Sequence, residues 1–234
     1  IGQLQGLEYL WLDYNNLQGT LPSAIANCSS LLHLSSEGNA IGGVMPAAIG
    51  ALPKLAVISL SHNNLSGVLP VSMFCNVSIY PPSIRNVQLG FNEFTGIDSA
   101  ESAGPCFSVL EVLELQHNRV RGSFPWFLLN VTTLTALDVS ENDFSGSIPV
   151  EIGNLRRLGE LRMANNSFRG DIPVGITNCG NLKALDLEGN LLAGELPDFL
   201  AELKALKALS LGGNRFSGSI PSGFGNLLSW SHLT

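Results

Sequence analysis

The sequence predicts an α/β solenoid, in which one short strand per turn stacks into a parallel sheet and a looser segment returns along the other side. Three observations predict it. An asparagine recurs at positions 15, 39, 63, 92, 118, 142, 166, 190 and 214, spaced by 24 residues except for single gaps of 29 and 26. A glycine follows four residues after every one of these, from Gly19 to Gly218. A proline follows seven residues after in eight of nine cases, the exception being Ser99. Chance does not produce this register, and a chain that repeats every 20–30 residues folds as one continuous stack whose units contact only their neighbours.

The unit Leu134–Leu155, LTALDVSENDFSGSIPVEIGNL, shows what each position does. Leu134, Leu137 and Val139 point inward, and Ala136, Asp138, Ser140 and Glu141 point outward, which is the alternation of a half-buried strand. Successive strands should lie about 4.8 Å apart in a parallel sheet with right-handed crossovers. Asn142 marks the place where the chain leaves the sheet. Its amide both donates and accepts, so stacked copies can form an inward ladder that satisfies backbone groups at the turn. Gly146 suits a turn that needs positive φ. Pro149 fixes φ and lacks a donor, so Ile148-Pro149 reads as extended chain. Ile152 and Leu155 should be buried on the convex side.

Composition bounds the function. Apolar residues make up 45% of the 234, enough for a long core, while charged residues are only 13%. The net charge of −7 argues against nucleic acid and against an anionic membrane surface, both of which attract clustered Lys/Arg. No apolar run reaches the roughly 18 residues of a membrane span, and no leader segment is expected within these residues. Ile1 lies inside one repeat and Thr234 just inside another, so residues 1–234 are expected to be one domain piece, about nine full repeats, of a longer protein.

The middle is irregular. Five extra residues fall near Ile79–Ile84, with Pro81-Pro82 inside, and two more fall between Asn92 and Asn118. Insertions in repeat arrays map to loops, either on a used face or simply tolerated at small entropic cost.

The motif L-x-x-L-x-L-x-x-N is the leucine-rich-repeat signature. Its extension through G-x-(I/L)-P, as in SFRGDIPVGI, RFSGSIPSGF and NLSGVLPVSM, resembles the plant type of that repeat. The likeness covers the whole chain and weakens only over residues 76–109. With FCNVS, VQLGF, CFSVLEVLELQHN, MANNSF and LSLGGN, the chain resembles the extracellular part of plant leucine-rich-repeat receptor-like kinases. The resemblance implies a right-handed superhelix with a concave parallel β-sheet and a second small sheet at the G-x-I-P strand. It also implies a signal peptide, caps, one membrane span and a cytosolic Ser/Thr kinase domain that uses ATP. No G-x-G-x-x-G, H-R-D or D-F-G motif occurs in the chain, so neither ATP nor another cofactor is expected in it. The implied location is the apoplast-facing side of the plasma membrane, on a single-pass parent. The implied partners are a peptide ligand or another leucine-rich-repeat ectodomain, with no nucleic acid and no direct membrane contact. An alternative is a secreted inhibitor similar to those that block fungal polygalacturonases, although those are short and capped at both ends.

Cys28 and Cys179 occupy equivalent positions six repeats apart, roughly 29 Å at the strand spacing, beyond disulfide reach. They are expected as buried thiols. Cys75 and Cys106 fall in neighbouring repeats and flank the irregular one, and either form a disulfide or add two more buried thiols. Five N-x-S/T sequons, at Asn27, Asn64, Asn76, Asn130 and Asn165, favour a secreted, glycosylated chain.

The outward positions form four columns on the concave face. Tyr9, Trp11 and Tyr14 make an aromatic group in the first repeat, either anchors of an interface or surface that packs on a preceding repeat. Glu114, Asp138, Glu141, Glu160, Asp186 and Glu188, with Arg162 among them, make an acidic group, suited to a basic partner or simply solvated. Paired carboxylates such as Asp138 and Asp186 invite a hydrolase reading, but an open, wet face cannot tune their protonation by burial. His62 and His117, two rungs apart, are too far from each other to hold one metal. No catalytic or metal site is expected.

Overall fold

The computed structural model describes residues 1–75, 83–98, 108–226 and 232–233. The chain forms two compact units, Ile1–Val120 and Arg121–Thr234. In the first, the strands Tyr9–Trp11, His33–Ser35, Val57–Ser59, Asn86–Gln88 and Val112–Glu114 pair in parallel in chain order. Leu10, Leu34, Ile58, Val87 and Leu113 fall in one register row. In the second, Ala136–Asp138, Glu160–Arg162, Ala184–Asp186, Ala208–Ser210 and His232–Leu233 do the same. The inward row is buried from Leu34 to Leu209 and half-buried at Leu10, and Leu134 and Val139, assigned inward by the alternation, and Ile152 and Leu155, expected on the convex side, are buried as well.

Each unit carries a second parallel sheet, of which Asn64–Leu69 and Asp143–Gly146 are members. Its strands begin directly after the ladder asparagine in seven of nine repeats, and in most repeats they end at or just past the glycine. The expected position, at the G-x-I-P stretch itself, is therefore shifted upstream by several residues. The reason is hydrogen bonding. Proline has no N–H for a ladder, and Pro149 instead starts a tight turn, accepting from Ile152 N at 3.1 Å.

The return segments are also tighter than an α/β label suggests. They are short 3-10 helices, five residues long as at Val150–Asn154 and Val174–Asn178 except for the three-residue Val71–Met73, and no α-helix occurs among the described residues. Successive i→i+3 bonds, Pro149 O to Ile152 N and Ile152 O to Leu155 N, close the segment before an α-turn can form. Glycines let these helices touch. A Cβ on Gly175 would lie 1.9 Å from the Val150 oxygen, and one on Gly153 would lie 2.2 Å from the Gly175 oxygen.

The asparagine ladder forms in both units. Asn166 is typical. Its Oδ1 accepts the Phe144 N–H from the preceding repeat at 3.0 Å, and its Nδ2 donates to the carbonyls of Val139, Met163 and Ala164. Asn63, Asn92, Asn190 and Asn214 repeat the same pattern. The glycine four residues on has positive φ in eight of nine repeats, for example +84° at Gly146, where L side chains are disfavoured. Phe144 and Phe168 stack between the two sheets with ring centroids 6.1 Å apart.

Cys28 and Cys179 are free and buried. Burial pushes the Cys179 thiol up to about 11. Cys75 is disulfide-bonded. Cys106, the other half of the expected pair, lies outside the described residues, as does the sequon Asn76.

Candidate functional site

The free surface of each unit is the outward face of its first sheet, and its layout follows from the strand. Residues two apart share a side, so Tyr9, Trp11 and Asp13 stand together. Each strand ends four residues before the ladder asparagine, and at the residue just before that asparagine the backbone turns left-handed in all nine repeats. Tyr14, His62, Phe91, His117, Glu141 and Asn165 all have φ between +52° and +56°, joined by Gly38, Gly189 and Gly213 at +64° to +65°. Non-glycine residues rarely sit there. The conformation lets each N–H reach the next repeat, as when Tyr14 N donates to Glu37 O at 2.7 Å and Phe91 N to Gln116 O at 2.8 Å. Alternation alone puts these residues on the face but does not show that their side chains are turned along its edge.

In the first unit that edge is aromatic. Phe91 is stacked between His62 and His117, at centroid distances of 4.0 and 4.1 Å. Tyr14 lies over Gly38, where a Cβ would approach its ring to 2.6 Å. Its hydroxyl donates to Glu37 Oε1 at 2.7 Å. The hydrogen bond that Tyr14 donates to Glu37 and the charge of Glu37 raise the Tyr14 phenol above its ordinary value. Trp11 is 63% and Tyr14 75% exposed. Trp11 contacts Tyr9, with ring centroids 5.4 Å apart, and meets His33 edge-on at 5.8 Å. The sheet here has a floor of small buried hydroxyls at Ser35, Ser59 and Ser61. The sequence placed Asp13 and Glu37 on this face but grouped only Tyr9, Trp11 and Tyr14 as a patch. Asp13 Oδ1 accepts from the Ser35 hydroxyl and from Glu37 N, which ties two repeats together.

In the second unit the face is charged. Asp138, Arg162 and Asp186 lie in one register row across three strands. Arg162 pairs with Glu160 at 2.7 Å and reaches Asp138 at 4.0 Å. Asp138 also accepts from Ser140 N, and Asp186 from Glu188 N. Glu141 and Glu188 are exposed. Glu114 belongs to the first unit, where its carboxylate accepts from the Gln88 amide at 3.2 Å. Among the described residues no group of three His, Cys, Asp or Glu is placed to hold a metal. The sequons at Asn27, Asn64, Asn130 and Asn165 are all exposed. Asn165 sits in the left-handed column, its amide over Gly189. No helix among the described residues is long and apolar enough to cross a membrane.

Comparison with known proteins agrees with this geometry. The Leucine Rich Repeat family matches residues 6–28, 54–77, 133–155, 181–203 and 205–227. Curated protein sequences gave no significant match. Among solved structures, the plant peptide hormone receptor RGFR1, in complex with RGF2, is 30% identical with a TM-score of 0.81, over 99% of this chain and 40% of that one. The Arabidopsis receptor kinase HAESA ectodomain, in complex with an N-terminally extended IDA peptide hormone, is 33% identical with a TM-score of 0.72, over 98% of this chain and 42% of that one. A plant ice-binding protein is 28% identical with a TM-score of 0.78, over 100% of this chain and 75% of that one. The chain thus spans less than half the length of the two receptor ectodomains. It is built of leucine-rich repeats as a solenoid, and the solved structures it resembles include ectodomains of plant receptor kinases.

Proposed function

We propose that the chain is an extracellular recognition module within a plant receptor-like kinase. In this reading its sheet face binds a peptide ligand, a co-receptor ectodomain or both, and so controls a cytosolic Ser/Thr kinase that uses ATP. The parent protein is a single-pass membrane protein, and the module faces the apoplast, with glycans on its exposed sequons. One observation carries the reading. Large aromatics stand exposed on a rigid, hydrogen-bonded sheet, where they lose little entropy on binding and serve as anchors. The neighbours support it, since HAESA has been seen with the peptide hormone IDA and the co-receptor SERK1 together.

The test is binding of the purified chain to a panel of secreted plant peptides and receptor ectodomains, by interferometry. Trp11→Ala in the first unit and the pair Glu160→Lys and Asp186→Lys in the second are compared with the unaltered chain. Loss of a partner with either variant, with melting unchanged, supports the reading. A partner retained by both moves the site off these faces. Inhibition of a fungal polygalacturonase by the chain would instead favour the inhibitor alternative.

A further inference from the structure

We infer that the aromatic end of the first unit is a receptor site for a cationic side chain, an Arg or Lys of an extended peptide, held on Trp11 and neutralised by Asp13 and Glu37. The inference rests on the recognition reading above and names the chemistry of its ligand.

Four observations carry it. The first is placement. Trp11 and Asp13 share one side of a strand, and both neighbour Ser35, Trp11 through the register pair and Asp13 through the hydrogen bond to the Ser35 hydroxyl. Glu37 follows Ser35 by two residues and donates its N–H to Asp13. An exposed indole and two carboxylates therefore border one small, buried position, Ser35. The second is rigidity. Glu37 Oε1 is held by the Tyr14 hydroxyl and Asp13 Oδ1 by two donors, which fixes both carboxylates in place. Each keeps a second oxygen free to accept.

The third is the absence of an internal counter-ion. Tyr9 to Tyr14, His33 to Gly38, Val57 to His62, Asn86 to Phe91 and Val112 to His117 contain no Lys or Arg. The unit as a whole has eight Asp and Glu against three Lys and Arg. Of these three, Arg85 pairs with Glu111 and Arg119 with Glu93, while Lys54 lies outside the strands and their outward columns. No cation in the described residues bonds Asp13 or Glu37. The fourth is the contrast with the second unit. There, the same kind of outward carboxylates at Asp138 and Glu160 are bridged by Arg162. In the first unit the carboxylates stand elsewhere, at Asp13 and Glu37 two residues before their ladder asparagines, Trp11 holds the strand position that Asp138 holds in the second, and no Arg or Lys stands beside them. A guanidinium or ammonium over an indole gains from the ring quadrupole, most strongly for Trp, and gains further from the carboxylates through charge complementarity. The nearby titratable group of opposite tendency is His33, edge-on to Trp11.

The experiment pans a random twelve-residue peptide library on the whole chain, in parallel with Trp11→Ala and with Asp13→Asn plus Glu37→Gln. The two amide substitutions keep an acceptor for the internal hydrogen bonds, and thermal melts confirm that each variant folds. The expected result is several-fold enrichment of Arg or Lys at one position on the unaltered chain, and loss of that enrichment on both variants. Individual selected peptides should bind about ten-fold more weakly to Trp11→Ala, and equally weakly when their cation is replaced by neutral citrulline or norleucine. Peptides that bind the unaltered chain with no cation preference, or with a preference kept by both variants, overturn the inference while leaving a recognition module in place. A chain that selects no peptide at all overturns both.

Discussion

Replacing Asn166 by Ala removes one rung of the ladder, and its cost can be worked out from the partners. Asn166 is buried and makes four hydrogen bonds. Three are donated to carbonyls, and each of those carbonyls keeps another donor. Val139 O retains Asn142, Met163 O retains Asn190, and Ala164 O retains Glu141 N. The fourth is different, because Asn166 Oδ1 accepts the Phe144 N–H, and Phe144 is buried between the sheets. Orphaning one buried donor costs about 1–3 kcal/mol, and the weakened carbonyl bonds add to it. Asn166→Ala should therefore lower stability by about 2–3 kcal/mol. Asn166→Asp separates the two roles. It keeps the acceptor for Phe144 but points a carboxylate at three carbonyls, so it should cost at least as much as Ala at neutral pH. A solenoid can unfold in parts, so the assay is urea denaturation together with hydrogen exchange at the Phe144 amide. A loss under about 0.5 kcal/mol for Ala, or an Asp variant as stable as the parent, would refute the argument.

Other consequences can be checked directly. Gly175→Ala should destabilise by about 1–3 kcal/mol, as overpacking does, because its Cβ would strike the Val150 carbonyl at 1.9 Å; Gly180→Ala, which meets nothing within 4 Å, is the control. Cys179, with its thiol pushed up to about 11 by burial against an ordinary 9.0, should resist alkylation at pH 8 until denaturant is added. A raised value in the fold means that this stability is present below about pH 9 and is lost as pH rises through about 11, so the denaturation midpoint of the parent should fall across that window more than that of Cys179→Ala. Arg162→Ala should change stability by only about 0–1 kcal/mol, since its ion pairs are half exposed; a larger loss on urea melting would mean the network is structural.

Much of this architecture is legible in the residues themselves. Every inward position of the unit at Leu134–Leu155 is buried, and the ladder asparagines sit where the spacing puts them. The reason is that a stacked repeat must satisfy the same packing and hydrogen-bond demands at each turn, so those demands print themselves on the chain at a fixed period. The second sheet was displaced from its expected place because the strand starts at the residue after the asparagine, whose Oδ1 bonds belong to the preceding turn. The site was legible only in part. Tyr9, Trp11, Tyr14 and Arg162 with its carboxylates stand on the faces assigned to them. Asp13 and Glu37 did not stand out, because single acidic residues in an alternating strand carry no signal of their own.

What the sequence alone determined is therefore the scaffold: the strand, the asparagine turn, the positive-φ glycine and the proline-started return, each fixed by local chemistry repeated in register. What only the tertiary structure decided is how the free positions meet. Trp11 comes beside Ser35, Asp13 reaches Glu37 N, Phe91 stacks between His62 and His117, and Arg162 bridges Glu160 and Asp138. Apart from the Glu160–Arg162 pair, which lies within one strand, each of these joins residues of neighbouring repeats. It depends on the left-handed turn that ends each strand and on side chains packing across neighbouring repeats, and no local rule of sequence encodes that.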